Sequence, residues 1–334
     1  MFPYFYSQSQ KKEKIYICTW VDMIPNSVIK QFEQETGIKV FYDFLDNSDI
    51  LEVKLFTGNP GYDIMTPSAM PHLHRGIEMG IFEKLDKKKL PNLKNISESV
   101  YEKIKSVKDY GIVYGFGTFG LLYNSEVVER IFPVVDSYEM LFDPEKIKKI
   151  APYGVALSDE WQDVLTSILN FYKTDDMKKA YKVLSKIRLH IKYFNVSRHA
   201  NDFAMEEIVV SFTPNHEAIK AVKFSENKKF KFMIPKDEKN FWCDTLAIVK
   251  KAPHLKNAYK FINFLLRPDI AAKITNETLL PNGVSYQYRH LVREDIRNNK
   301  QLFLDDIEKY HLHKTMTLKE YREVSENWMR IVMR

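Results

Sequence analysis

Cysteine and glycine are both scarce in this 334-residue chain, and long apolar runs are missing. The two cysteines, Cys18 and Cys243, are too few for a disulfide framework. Both lie in apolar, strand-like runs and read as buried free thiols. A single disulfide is the alternative, so the cysteines leave the redox compartment undecided. Eleven glycines argue against a chain built on repeated glycine-rich phosphate loops. No run reaches the roughly 18 apolar residues that a spanning helix requires. H-E-x-x-H, G-x-S-x-G and Walker A patterns are absent, as are zinc-finger signatures, internal repeats and low-complexity linkers. No catalysis, no cofactor and no nucleic-acid partner are therefore expected.

What is present is ordinary globular composition, 45% hydrophobic and 28% charged, which excludes a disordered, collagenous or coiled-coil chain. The length exceeds the roughly 250–300 residues at which a single core stops growing, so two lobes are expected. The net charge of +6 comes from short lysine clusters (Lys11-Lys12, Lys87-Lys88-Lys89, Lys148-Lys149, Lys228-Lys229), read as solvated helix ends and loops. The opening MFPYFYSQSQKKEK has no basic n-region, full h-region or A-x-A site. It reads either as a cytosolic start or as the remnant of a leader.

Along the chain, strand-like runs at 14–20, 37–45 and 62–67 alternate with helical patterns at 25–36, 50–57 and 71–85. This β-α-β alternation predicts a parallel sheet covered by helices. Segment 110–124 reads as extended, 153–157 as a strand, and 160–173 and 175–192 as helices. Strands follow at 209–213, 230–235 and 241–249, then helices at 255–266 and 317–334. Two α/β units without a tether predict lobes joined by chain crossings, with a ligand cleft beyond the strand ends.

Three constellations carry chemistry. Trp20 and Asp22, and again Trp242 and Asp244, form Trp-x-Asp pairs at apolar runs; on a strand, residues two apart share a face. An indole beside a carboxylate suits an organic cation, with cation–π attraction of roughly 0.5–2 kcal/mol. The plainer alternative is a core tryptophan followed by a turn acid. Glu160 and Asp163 share a face at a predicted helix start, where the dipole keeps carboxylates ionised; acids that merely complement the dipole would look the same. Gly115–Gly120 matches G-x-G-x-x-G literally, but it runs into Leu121-Leu122-Tyr123. It therefore reads as a glycine-relieved strand crossing rather than a dinucleotide loop. His72/His74 and His311/His313 have ligand-like spacing but no cysteine or acid cluster beside them, and read as exposed histidines without a metal.

With these residues in place, the chain resembles the spermidine/putrescine-binding proteins of bacterial ABC importers. The resemblance runs from about Lys14 to the C-terminus. It rests on Trp20 with QFEQETGIKV (31–40), YDIMTPS (62–68), FWCDTLAI (241–248) and FINFLLRPDIA (261–271). It implies an α/β, two-lobed type II periplasmic-binding-protein fold with lobe 1 at 14–118 and 244–290, and lobe 2 at 119–243 and 291–334. It implies a ligand site of Trp20, Asp22, Met23, Ser68, Met70, Glu160, Asp163, Trp242 and Asp244. Met23 and Met70 stand where relatives tend to carry tyrosine, Pro214 where they carry tryptophan, and Leu280 near another tyrosine. A late glutamine falls near Thr315. The implied role is a monomeric, periplasmic receptor that hands a polyamine-like cation to an ABC permease. The alternatives are a receptor for a different amine or a metal complex, an enzyme of similar fold, and a regulatory ligand-binding domain.

Overall fold

The computed structural model describes residues 13–56, 61–225 and 228–333. The N-terminal stretch read above as a start or a leader remnant, with Lys11-Lys12, lies outside the described residues, as does the end of the 50–57 helix. Among the described residues, ten strands form two five-stranded sheets. They are β1 (Lys14–Trp20), β2 (Lys39–Leu45), β3 (Ile64–Met65), β4 (Gly111–Gly117), β5 (Phe119–Asn124), β6 (Val155–Leu157), β7 (Tyr193–Phe194), β8 (Val210–Pro214), β9 (Phe230–Met233) and β10 (Trp242–Ile248). The first sheet has the order β2-β1-β3-β10-β4 and the second β7-β6-β8-β5-β9.

The two sheets share one plan. Three strands are parallel, β2-β1-β3 in the first and β7-β6-β8 in the second. The fourth, β10 or β5, runs antiparallel to both its neighbours. These antiparallel strands are the ones next to the chain crossings. β4 of the first sheet leads to β5 of the second through Thr118 alone, and β10 brings the chain back. The sheets are thus sewn together by their antiparallel strands.

The central strands read as continuous apolar runs because both their faces are covered. Ile15 and Ile17 join Ile64, Ile112, Leu246 and Ile248 on one face of the first sheet. Cys18 joins Met65, Val113, Phe116, Cys243 and Ala247 on the other. Both cysteines are buried free thiols; burial pushes the Cys18 thiol up to about 11, so it stays protonated and inert. The helix Asn26–Thr36 lays Val28, Ile29 and Phe32 on the sheet. It ends at Gly37, whose φ of 71° is the left-handed conformation that glycine adopts without penalty. Residues after 290 serve both units. Val292, Ile296, Leu302 and Phe303 pack with Phe203 and Phe230, Leu304, Ile307 and Tyr310 with Phe116 and Phe241, and the helix Leu318–Val332 puts Tyr321, Val324 and Trp328 against Trp161 and Leu165.

One local expectation fails, and one short strand was missed. The helix predicted over 71–85 is a wide turn at Ala69–Leu73, with Met70 extended, followed by a short helix His74–Glu78. The chain then reverses at Gly80 (φ 67°) and Phe82 bridges Val249. The reversal seats the Phe82 ring on Gly76, where an added Cβ would lie 2.3 Å from it. The short strand β7 was not legible, because Tyr193-Phe194 is half-buried and too brief to show a period.

The Gly115–Gly120 run opens no helix and forms the crossing itself. A Cβ on Gly117 would sit 2.2 Å from Asn215 Oδ1 and 2.7 Å from the Trp242 indole. Gly117→Ala is expected to cost about 1–3 kcal/mol through overpacking, read as a lowered midpoint in urea unfolding. A wild-type midpoint would mean that the crossing yields freely.

Candidate functional site

A cavity of about 440 Å³ lies between the sheets, lined from both. Several of its walls are made where an element ends or begins. β1 stops at Trp20, so Val21, Asp22 and Met23 leave the sheet and form a rim. Ser68 follows β3 and bridges Asp244. Glu160 and Asp163 open the helix Trp161–Phe171 after β6. Trp242 and Asp244 lie two apart in β10. All nine residues proposed from the sequence border this one cavity.

The face argument holds for one Trp-x-Asp pair and fails for the other. Trp242 and Asp244 share a strand face. Asp22 lies beyond the end of β1 with φ 58°. Its carboxylate is largely exposed and meets Lys220 Nζ across the cleft at 3.7 Å.

The electrostatics also differ from the helix-dipole expectation. Glu160 does sit at a helix start, yet burial, reinforced by the charges of Asp163 and Asp159, lifts its carboxyl to about 8. Two bonds from Ser48 oppose the rise: the hydroxyl donates to Oε2 (2.6 Å) and the backbone N–H to Oε1 (3.3 Å). Ser48 opens the helix Ser48–Phe56 of the first unit, so this contact joins the two units. Asp244 is likewise lifted to about 8, first by burial and then by Asp163, with the Trp20 indole acting against both. Desolvation outweighs a macrodipole worth only about 0.3–2 kcal/mol.

Asp163 is surrounded differently. Asn240 Nδ2 donates to its Oδ1 (2.7 Å), and His313 Nε2 meets the same oxygen at 2.9 Å. His313 is therefore buried in the wall, contrary to the exposed reading of the His-x-His pairs. His72 is buried too: its Nδ1 lies 2.7 Å from Ser68 Oγ and its Nε2 3.6 Å from Glu52. Their partners His74 and His311 are more open, as alternation along a chain requires. Among the described residues no group of His, Cys, Asp and Glu could hold a metal ion.

Sequence reasoning missed Glu217. It stands in the first turn of the helix Asn215–Phe224 and lines the same cavity. Burial would raise its carboxyl, but the bond from His216 and the charges of His216 and Lys220 bring it down to about 2. The His216 ring in turn lies 5.1 Å from Trp242. Glu217 follows a strand end and opens a helix as Glu160 and Asp163 do, and that parallel was the available signal. His313 and Asn240 had none: they meet Asp163 from 150 and 77 residues away in sequence. Met23, Met70, Phe119, Pro214 and Leu280 give the wall an apolar part.

Two α/β units stitched by antiparallel strands around a cavity of acids, indoles and thioethers form a receptor that encloses a small solute. The sequence model of the family described as bacterial extracellular solute-binding protein matches residues 27–282. The chain is 33% identical to the putrescine-binding periplasmic protein SpuD of Pseudomonas aeruginosa, covering 97% of this chain and 93% of that one. It is 32% identical to the putrescine-binding periplasmic protein PotF of Escherichia coli, covering 88% and 84%. A putative spermidine/putrescine ABC transporter structure from Listeria monocytogenes superposes with a TM-score of 0.84 at 26% identity, over 96% of this chain and 99% of that one. This protein belongs to the bacterial extracellular solute-binding proteins.

The raised carboxyls make stability fall with pH. Asp244 and Glu160 ionise near pH 4 when unfolded but near 8 when folded. The stability they retain by staying protonated is complete below about pH 4 and is lost progressively up to about pH 8. Asp244→Asn should flatten this decline and melt higher than wild type at pH 8. Parallel melting profiles of the two proteins between pH 5 and 9 would exclude a desolvated Asp244.

Proposed function

We propose that the cavity binds a polyamine, a putrescine- or spermidine-like cation, and delivers it to the permease of an ABC importer outside the cytoplasm, in a periplasm. The observation that carries this is the convergence of Glu160, Asp163 and Asp244 with Trp20 and Trp242 in one cavity between the sheets, with the ionised Glu217 also in its lining. Carboxylates match ammonium groups, and indoles match the methylenes between them. Asp22, Met23, Ser68 and Met70 complete the contacts. The names of SpuD and PotF as putrescine-binding proteins support the ligand class. The protein acts as a monomer, performs no catalysis and uses no cofactor or nucleic acid. The lobes are taken to divide near 118/119, 243/244 and 290/291, with 304–310 running back along lobe 1.

Binding does not require the acids to be charged beforehand. An incoming ammonium favours the carboxylate form and drives protons off Asp244 and Glu160. Affinity should rise from pH 6 to pH 8, and calorimetry in buffers of different ionisation enthalpy should register protons released at pH 7. Asp244→Asn should weaken putrescine binding by about 1.5–3 kcal/mol, the worth of a charge-assisted bond, and should release fewer protons. Tight binding that is indifferent both to pH and to this substitution would remove Asp244 from the site.

A second reading rests on the apolar part of the wall. Met23, Met70, Pro214 and Leu280 offer adaptable surface without hydroxyl donors, which favours an amine with a larger apolar body. Mass spectrometry of the ligand released from denatured protein distinguishes the two. If this second reading holds, Met23→Tyr with Met70→Tyr should tighten spermidine binding. Nanomolar spermidine affinity in the native protein, with no gain in the double variant, would exclude it.

A further inference from the structure

We propose that His313 is a positioning residue of the cation site: with Asn240, it holds one oxygen of Asp163 and turns the other toward the ligand. The inference rests on the cation reading above and adds to it a residue outside the set proposed from the sequence.

The geometry is specific to one atom. His313 Nε2 and Asn240 Nδ2 both approach Asp163 Oδ1, at 2.9 and 2.7 Å. Two N–H donors on one oxygen saturate it and fix the plane of the carboxylate. On the far side of the ring, Nδ1 lies 3.1 Å from Thr166 Oγ1. Thr166 is on the same helix as Asp163, so the imidazole is clamped between two residues of that helix. With Nε2–H given to Asp163, Nδ1 is an acceptor and the threonine hydroxyl donates to it. The side chains of His313 and Asp163 are about nine-tenths buried, so the contact is not a solvated surface pair. The adjacent Lys314 does not take part, as its ammonium is 2.6 Å from Asp175.

Both donors come from the segments that join the units. Asn240 and His311 form a parallel bridge. Phe241 N–H donates to His311 O at 2.8 Å, and His311 N–H to Lys239 O at 2.7 Å. Asn240 precedes β10, the returning strand. His313 follows Tyr310, which packs with the first sheet, and precedes the C-terminal helix, which packs with the second. The orientation of a carboxylate in the second unit is therefore set by a bridge between two segments at the crossing, and the anchor is registered to the joint between the units rather than to its own helix alone.

The test is a double-mutant cycle read by putrescine calorimetry, with thermal melting run alongside. His313→Leu should raise the putrescine Kd about tenfold, the loss of one charge-assisted hydrogen bond. His313→Gln, whose amide can donate to the same oxygen, should stay within about threefold of wild type. On an Asp163→Asn background His313→Leu should change Kd by less than about twofold, because the two residues act as a unit. Thr166→Val frees the ring from behind. It should weaken binding severalfold in wild type and not at all in Asp163→Asn, which keeps the proposal testable where His313→Leu does not fold. Equal losses on both backgrounds, or no loss in His313→Leu while Asp163→Asn weakens binding, would overturn the positioning role and leave the cation reading intact. A wild-type protein that binds no amine at any pH would overturn the cation reading itself and this role with it.

Discussion

Carboxyl groups brought together out of water are the constraint on which the rest of this structure turns. Glu160, Asp163 and Asp244 share one cavity, and the charge of Asp163 reduces the ionisation of both Glu160 and Asp244. An isolated buried carboxylate is too costly to persist unpaired, so the fold offers each of them a different relief. Glu160 takes two hydrogen bonds from Ser48 across the cleft. Asp163 takes two donors on a single oxygen. Asp244 has the Trp20 indole facing it and remains largely protonated at neutral pH. The cost is borne in stability at neutral and alkaline pH, as is common where function requires groups that the native state alone would not favour.

The architecture explains how such a cluster can be assembled. Each sheet is completed by an antiparallel strand adjacent to a crossing, so residues near the crossings belong to both units at once. Trp242 illustrates this. Its indole donates to Thr118 O at 3.3 Å, packs on both the first and second cores, and borders the cavity. Asn240, Thr118 and Asn215 form the polar seam beneath it: Thr118 Oγ1 donates to Asn240 O at 2.6 Å, and Thr118 N–H to Asn215 Oδ1 at 3.3 Å. Further contacts cross between the units away from this seam. Ser48 meets Glu160, Asp22 meets Lys220, and the Arg75 guanidinium stacks 4.0 Å from the Tyr321 ring. These contacts are polar, as is usual where two domains of one chain meet.

Ligand chemistry follows from what the walls leave open. On the polyamine proposal, the acids and indoles take the cation and its methylenes, whereas the methionines, Pro214 and Leu280 impose little directional demand. A wall of this kind discriminates sharply by charge and loosely by shape, since lost charge-assisted bonds cost far more than an imperfect apolar fit. The ionised Glu217 adds a negative group on a separate helix of the second unit.

The sequence by itself determined the α/β character and the two units, which follow from local periodicity and chain length; of the wall, Trp20, Asp22, Glu160, Asp163, Trp242 and Asp244 stood out by spacing, and Met23, Ser68 and Met70 by family resemblance alone. Trp242 and Asp244 were legible because residues two apart on a strand share a face. So was the meaning of the glycine run at 115–120, because the residues after it continue as a strand. Tertiary structure decided the remainder. Asp22 left its expected face because β1 stops at Trp20. The 71–85 helix broke because Phe82 must return to Val249. Glu160 proved reluctant to ionise because burial, which no local pattern encodes, exceeds the helix dipole. His313 and Asn240 reached Asp163 only through the pairing of two crossing segments far apart in the chain. Local sequence encodes which chemical groups stand at the ends of strands; the charge those groups carry depends on how much water the assembled fold removes from them.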